Sequence, residues 1–184
     1  MNKQYKLINA VVGFIVFAIS LWQYTSTMES AGSLWDCGEF VSCVYKLQVA
    51  HPPGTPLFMI LGRIFTLFNP SNPVIMVNFL SALMSAACVL FLYFVIAMVA
   101  KKLITKAGEE FSTADIIAIV GSASVGALAC SFSDTMWFSA VEGEVYASSM
   151  FFISIVLWAV MKWNEEANEP HGNRWLVFAA YMIG

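Results

Sequence analysis

The chain has 184 residues, of which 59% are hydrophobic and 11% charged, with a formal net charge of −3. Soluble domains carry roughly a quarter charged residues, so this balance excludes an ordinary soluble fold and implies an integral membrane protein. No basic stripe or arginine-rich arm is present, which excludes a nucleic-acid-binding class.

In chain order, a short basic lead through Lys3 and Lys6 precedes the apolar run Leu7–Tyr24, long enough to cross a bilayer core. It reads as an uncleaved anchor and first span, because no small-x-small cleavage site follows. The segment Ser33–Pro56 then sets two carboxylates, a lysine, a histidine and a double proline among apolar neighbours. Leu57–Phe68 is apolar around Arg63 and too short to span, so an interfacial or re-entrant helix is expected. The second span covers 74–100, with Asn78, Ser81 and Ser85 on one face as a helix–helix contact.

A third span is expected at about 115–133, where Ala118, Ser122, Gly126 and Cys130 form a stripe of small side chains for close helix packing. A fourth covers 145–163. The apolar run Trp175–Gly184 is too short to cross, and the chain reads as one transmembrane domain, the N-terminal part of a longer protein. The expected class is an all-α polytopic membrane bundle with an amphipathic surface helix in its first outer loop. The four cysteines, at 37, 43, 88 and 130, show neither CxxC nor zinc-like spacing with histidine, so no disulfide framework or zinc site is expected.

These spans place Lys3, Lys6, Lys101, Lys102, Lys106, Lys162 and Arg174 on one side and only Lys46 and Arg63 on the other. Cytoplasmic loops collect Lys and Arg, so the N-terminus is expected inside and Ser33–Pro56 outside. A second outer loop, Asp134–Glu144, carries three acids and no base.

Wound as a helix, residues 36–47 set Cys37, Phe40, Val41, Val44 and Leu47 on one side. Asp36, Gly38, Glu39, Ser42, Cys43 and Lys46 fill the other, as in a helix lying along a membrane surface. Asp36 and Glu39, three apart, project together. They are either the solvated face of an interfacial helix or, at a low-dielectric boundary, candidates for a general base. His51 either occupies an extended turn before Pro52 or contacts phosphate or a sugar hydroxyl. Arg63 either snorkels or faces a polar cavity. In the second loop Trp137, Phe138 and Tyr146 read as interfacial aromatics, and Asp134, Glu142 and Glu144 as acids that bind acceptor or metal. Glu142 and Glu144 are alternatively simple partners of the fourth helix dipole.

The runs WDCGEFVSCVYKLQVAHPPGTPLF and SFSDTMWFSAVEGEVYA resemble a bacterial family of uncharacterised membrane proteins related to protein O-mannosyltransferases, within the GT-C class of glycosyltransferases. The resemblance covers most of the chain. It implies a GT-C-like helical enzyme of the plasma (inner) membrane, in contact with membrane lipid. Such an enzyme takes a sugar, mannose or another hexose, from a polyprenyl-phosphate carrier outside the cytoplasm and gives it to a hydroxyl of a protein Ser or Thr.

It also implies that Asp36 supplies the acidic catalytic group, with Glu39 its neighbour, and that His51-Pro52-Pro53 matches the mannosyltransferase His-Pro-Pro. The lysine that often follows is replaced by Gly54-Thr55-Pro56, which leaves Lys46 and Arg63 for the phosphate. In the expected mechanism Asp36 deprotonates the acceptor hydroxyl, which attacks the anomeric carbon with inversion as the lipid phosphate leaves. Lys46 and Arg63 offset the phosphate charge. No cofactor beyond the lipid-linked donor is implied, and a divalent metal is left open. Two other classes compete. A transporter would place ionisable groups at midplane depth, and spans two to four carry none there; a non-catalytic scaffold would survive neutralisation of all outer acids.

Overall fold

The computed structural model describes residues 3–52, 55–104 and 112–184; Pro53, Gly54 and Lys106 lie outside the described residues. The described chain is all helical: α1 Lys3–Thr27, α2 Cys37–Lys46, α3 Pro56–Thr66, α4 Pro73–Ile104, α5 Thr113–Ser131, α6 Asp134–Val141, α7 Val145–Glu166 and α8 Arg174–Ile183. Four of these, α1, α4, α5 and α7, are long and apolar enough to cross a membrane. The chain is therefore a polytopic helical membrane protein. The short α3 matches the non-spanning apolar segment expected from its length.

The centre is α4. Its 32 residues extend about 48 Å at 1.5 Å per residue, and it packs against α1, α2, α3, α5, α6 and α7. A helix enclosed on so many sides is apolar all round, and its polar side chains need partners. Asn78, Ser81 and Ser85 are fully buried on one face; Asn78 and Ser81 bond to backbone outside the helices, and Ser85 Oγ has no hydrogen-bond partner among the described residues. Asn78 Nδ2 donates to the Glu29 carbonyl (2.8 Å) and Ser81 Oγ to the Glu144 carbonyl (3.4 Å). Toward α1, Tyr93 Oη donates to Asn9 Oδ1 (3.1 Å). α1 and α5 are joined by a buried chain in which Tyr24 Oη donates to the Ser131 carbonyl (2.9 Å) and Ser131 Oγ donates to Ser20 Oγ (2.9 Å).

α5 begins two residues before the expected Asp115, because Ser112 and Asp115 form a reciprocal capping box. The small-residue stripe predicted on this helix is misplaced by about one ridge. Ala118 and Ser122 are exposed, whereas Ile116, Ile119, Val120, Ala123 and Ala127 are buried. Only Gly126 uses its size as expected, since a Cβ there would lie 2.9 Å from Ile96 Cδ1. The buried face is turned by about one residue from the predicted stripe and packs against α1 and α4.

The cysteines among the described residues are all free. Lys3, Lys6, Lys101, Lys102, Lys162 and Arg174 gather at the bundle end formed by the start of α1, the end of α4 and the α7–α8 connection. Lys101 pairs with Glu165 there (3.2 Å) and Arg174 with Glu166 (2.8 Å). Lys46 and Arg63 lie toward the opposite end, with the acids of the two motifs.

Candidate active site

The α2 helix builds one wall. Its buried side is Cys37, Phe40, Val41, Cys43 and Val44, and it seats on α3 at Gly62, where a Cβ would stand 2.8 Å from Val44 Cγ2. Two expected positions are corrected. Cys43 is buried rather than on the polar face, because α3 and α4 enclose a wider arc than a membrane surface would. Leu47, expected on the apolar face, is exposed; α2 stops at Lys46 and Leu47 turns left-handed (φ 51°) as its C-cap.

Asp36 and Glu39 occupy the open face of α2. The turn after Leu47 brings His51 back over them. Its backbone N–H donates to Glu39 Oε1 (2.6 Å), its ring Nδ1 lies 3.1 Å from Glu39 Oε2, and the ring rests 5.6 Å from that of Phe40. The His51 N–H, and then its ring, hold the Glu39 carboxyl below its ordinary range. Side-chain donor atoms of Asp36, Glu39 and His51 all lie within 4.8 Å of one another, so these three residues have the spacing of a metal-ligand set.

The opposite wall comes from the second motif. Residues 134–141 form α6 rather than the expected loop; Ser133 is its extended N-cap and Asp134 sits in its first turn. Trp137 Nε1 donates to Thr27 Oγ1 (3.1 Å), tying α6 to α1. Glu142 and Glu144 are extended, and Glu144 stands at the N-cap of α7, the position the helix-dipole alternative gives it, without a side-chain capping bond. This short segment is pinned from several sides. Glu29 N–H donates to the Val141 carbonyl (3.0 Å), and the Ser33 hydroxyl donates to the Glu142 carboxylate. Gly143 lies so close to α4 that a Cβ would stand 2.8 Å from Val77 Cγ1.

The pinning sets Glu142 and Glu144, 5% and 7% exposed, beside Asp36. Burial pushes the Glu144 carboxyl up, and the charges of Asp36 and Glu142 push it further. Between the walls lies a cleft of about 940 Å³ that includes Trp35, Asp36, Asp134, Glu142, Glu144 and Tyr146. An adjoining recess of about 450 Å³ shares Asp36, Glu144 and Tyr146 and adds His51 and Thr55. The fold thus gathers Asp36, Glu39, His51, Asp134, Glu142 and Glu144 at one place.

Lys46 and Arg63 are not brought there. Neither lines the cleft or the recess. The Arg63 guanidinium instead lies over the Tyr45 ring, 5.3 Å from its centroid, and donates to Thr66 Oγ1 (3.4 Å). Ser33 and Trp35 were not singled out by sequence reasoning, though both belong to the site. Trp35 has a left-handed backbone (φ 66°) and is 88% exposed at the cleft. A tryptophan next to the candidate acid was the available signal for it.

A family model described as "Protein O-mannosyl-transferase TMEM260 N-terminal domain" matches residues 36–184. The chain belongs to this family. It is 26% identical over 140 residues to "Protein O-mannosyl-transferase tmem260" of Dictyostelium discoideum, covering 73% of this chain and 15% of that protein. It is 25% identical over 173 residues to "Protein O-mannosyl-transferase TMEM260" of Mus musculus, covering 92% of this chain and 22% of that protein. The chain thus spans less than a quarter of the length of these family members. The expected relation to protein O-mannosyltransferases holds. No solved structure matches the chain.

Proposed function

We propose that this chain is the N-terminal part of a GT-C-type membrane glycosyltransferase that moves a hexose from a polyprenyl-phosphate carrier to a protein hydroxyl. The observation that carries the reading is the meeting of Asp36 and Glu144, from motifs more than a hundred residues apart, across one acidic cleft. The names of the family and of both relatives support the part of this reading that concerns mannosyl transfer to protein.

Asp36 is the base. It takes the proton of the acceptor hydroxyl as that oxygen attacks the anomeric carbon, and the bond from that carbon to the lipid-phosphate oxygen breaks with inversion. Glu144, whose carboxyl is raised by burial and by the charges of Asp36 and Glu142, binds a substrate hydroxyl beside Asp36. Asp134 and Glu142 bind acceptor or sugar hydroxyls from the larger cleft, and His51 faces the recess toward the phosphate. Lys46 and Arg63 act on the phosphate only at a distance, where solvent screens them. The acidic end faces away from the cytoplasm of the plasma (inner) membrane.

The test is sugar transfer by the full-length protein in membranes supplied with polyprenyl-phosphate-linked hexose. Asp36→Asn is expected to lower transfer by about 100-fold or more, the usual range for a lost general base. Transfer at the wild-type rate would remove Asp36 from the mechanism.

A further inference from the structure

The proposed reaction delivers a lipid phosphate to a cleft of unsuitable charge. Asp36, Asp134, Glu142 and Glu144 line the cleft and recess, Glu39 stands beside them, and no lysine or arginine is among the lining residues. A phosphate entering a partly desolvated site of the same sign is repelled unless a cation is present. The two basic residues that sequence reasoning set aside for this task lie outside it, Arg63 being held over Tyr45.

We infer that Asp36, Glu39 and His51 hold a divalent cation, and that this ion receives the phosphate oxygens of the lipid-linked donor. The geometry has the right scale. Oxygen and nitrogen ligands sit about 2.0–2.2 Å from such an ion, so two ligand atoms on one ion are separated by about 3 to 4.4 Å. His51 Nδ1 and Glu39 Oε2 are 3.1 Å apart, and all three donors fall within 4.8 Å, so small rotations of exposed side chains close the set. Two carboxylates with one imidazole form a mixed oxygen and nitrogen set of the kind taken by manganese or zinc.

Three protein ligands leave coordination positions free for phosphate oxygens and water. His51 and Asp36 both line the recess, which places those free positions beside the space a donor head group would fill. Asp36 offers one oxygen to the ion and keeps the other for the acceptor proton. His51 then reaches the phosphate through the ion rather than as a charged imidazole.

The inference rests on the glycosyltransferase reading for the identity of the phosphate, but metal binding is measured without turnover. Full-length protein purified in detergent is stripped with chelator and titrated with Mn²⁺ at neutral pH, following the loss of the free-ion electron paramagnetic resonance signal. One site per chain is expected. His51→Ala and the isosteric Glu39→Gln are each expected to weaken it by about 10-fold or more. Lys102→Gln, at the opposite end of the bundle, is expected to leave it unchanged. Size-exclusion profiles matching wild type verify that both site variants are folded.

Absence of stoichiometric Mn²⁺ binding would overturn the site. Binding that survives both substitutions would also overturn it, by placing the ion elsewhere. Binding that is lost in both variants, in a full-length protein that transfers no sugar from the polyprenyl-phosphate-linked donor, would uphold the cation site and reject the glycosyltransferase reading alone.

Discussion

Trp35 and Glu144 both adopt states that cost folding free energy. A left-handed backbone costs an L-residue about 1–2 kcal/mol, and Trp35, 88% exposed, buries little in return. Trp35→Gly is therefore expected to raise the melting temperature in detergent while lowering transfer, because it relieves the backbone and removes an aromatic surface from the cleft. A variant less stable than wild type would show that the ring contributes packing. Glu144 is strained electrostatically. Its folded carboxyl is raised above the ordinary 4.5, so the native state binds its proton more readily than the unfolded chain does. Its contribution is most favourable below 4.5 and declines as pH rises through the raised folded value. Glu39 has the opposite sign: held low by His51, it stabilises above 4.5 and loses that contribution as pH falls through its lowered value. Melting curves from acidic to neutral pH are expected to lose the Glu144 decline in Glu144→Gln and to keep it in Glu39→Gln.

Among the helices, what the sequence made legible was local. The apolar side of α2, the short α3 and the four long helices follow from periodicity and length, which are properties of consecutive residues. Cys43 and the stripe on α5 were misassigned because a neighbour decides which part of an amphipathic arc is buried. α6 was read as a loop because its acids and aromatics suggested a surface, although eight residues after Ser133 suffice for two turns. The approach of Asp36 to Glu144 was not legible at all, since it depends on the path of α4 between them. Gly143 measures that approach. Gly143→Ala forces a Cβ within 2.8 Å of Val77 and 3.1 Å of Asn78 Oδ1, and overpacking of this kind costs about 1–3 kcal/mol. Gly121→Ala, with nothing within 4 Å of its new Cβ, is expected to be neutral or to stabilise α5 by up to about 1 kcal/mol. Equal melting temperatures for the two variants would mean that the 142–144 segment is not clamped against α4.

For the whole molecule, charge sorting carries the orientation. Six of the eight basic residues in the described chain lie at one end of the bundle, and the acidic cleft lies at the other. Lys and Arg are retained on the cytoplasmic side, so the cleft is expected outside, the side on which the proposed lipid-linked donor would have to be displayed. Two introduced cysteines decide this in intact cells, in a Cys130→Ala background, since the retained Cys37, Cys43 and Cys88 are buried. Gln48→Cys, exposed in the turn between α2 and α3, is expected to react with a membrane-impermeant maleimide before permeabilisation. Lys102→Cys, exposed near the end of α4, is expected to react only afterwards. The reverse pattern would turn the bundle over. The cleft would then face the cytoplasm, and a donor displayed on the outer leaflet would have no path to Asp36.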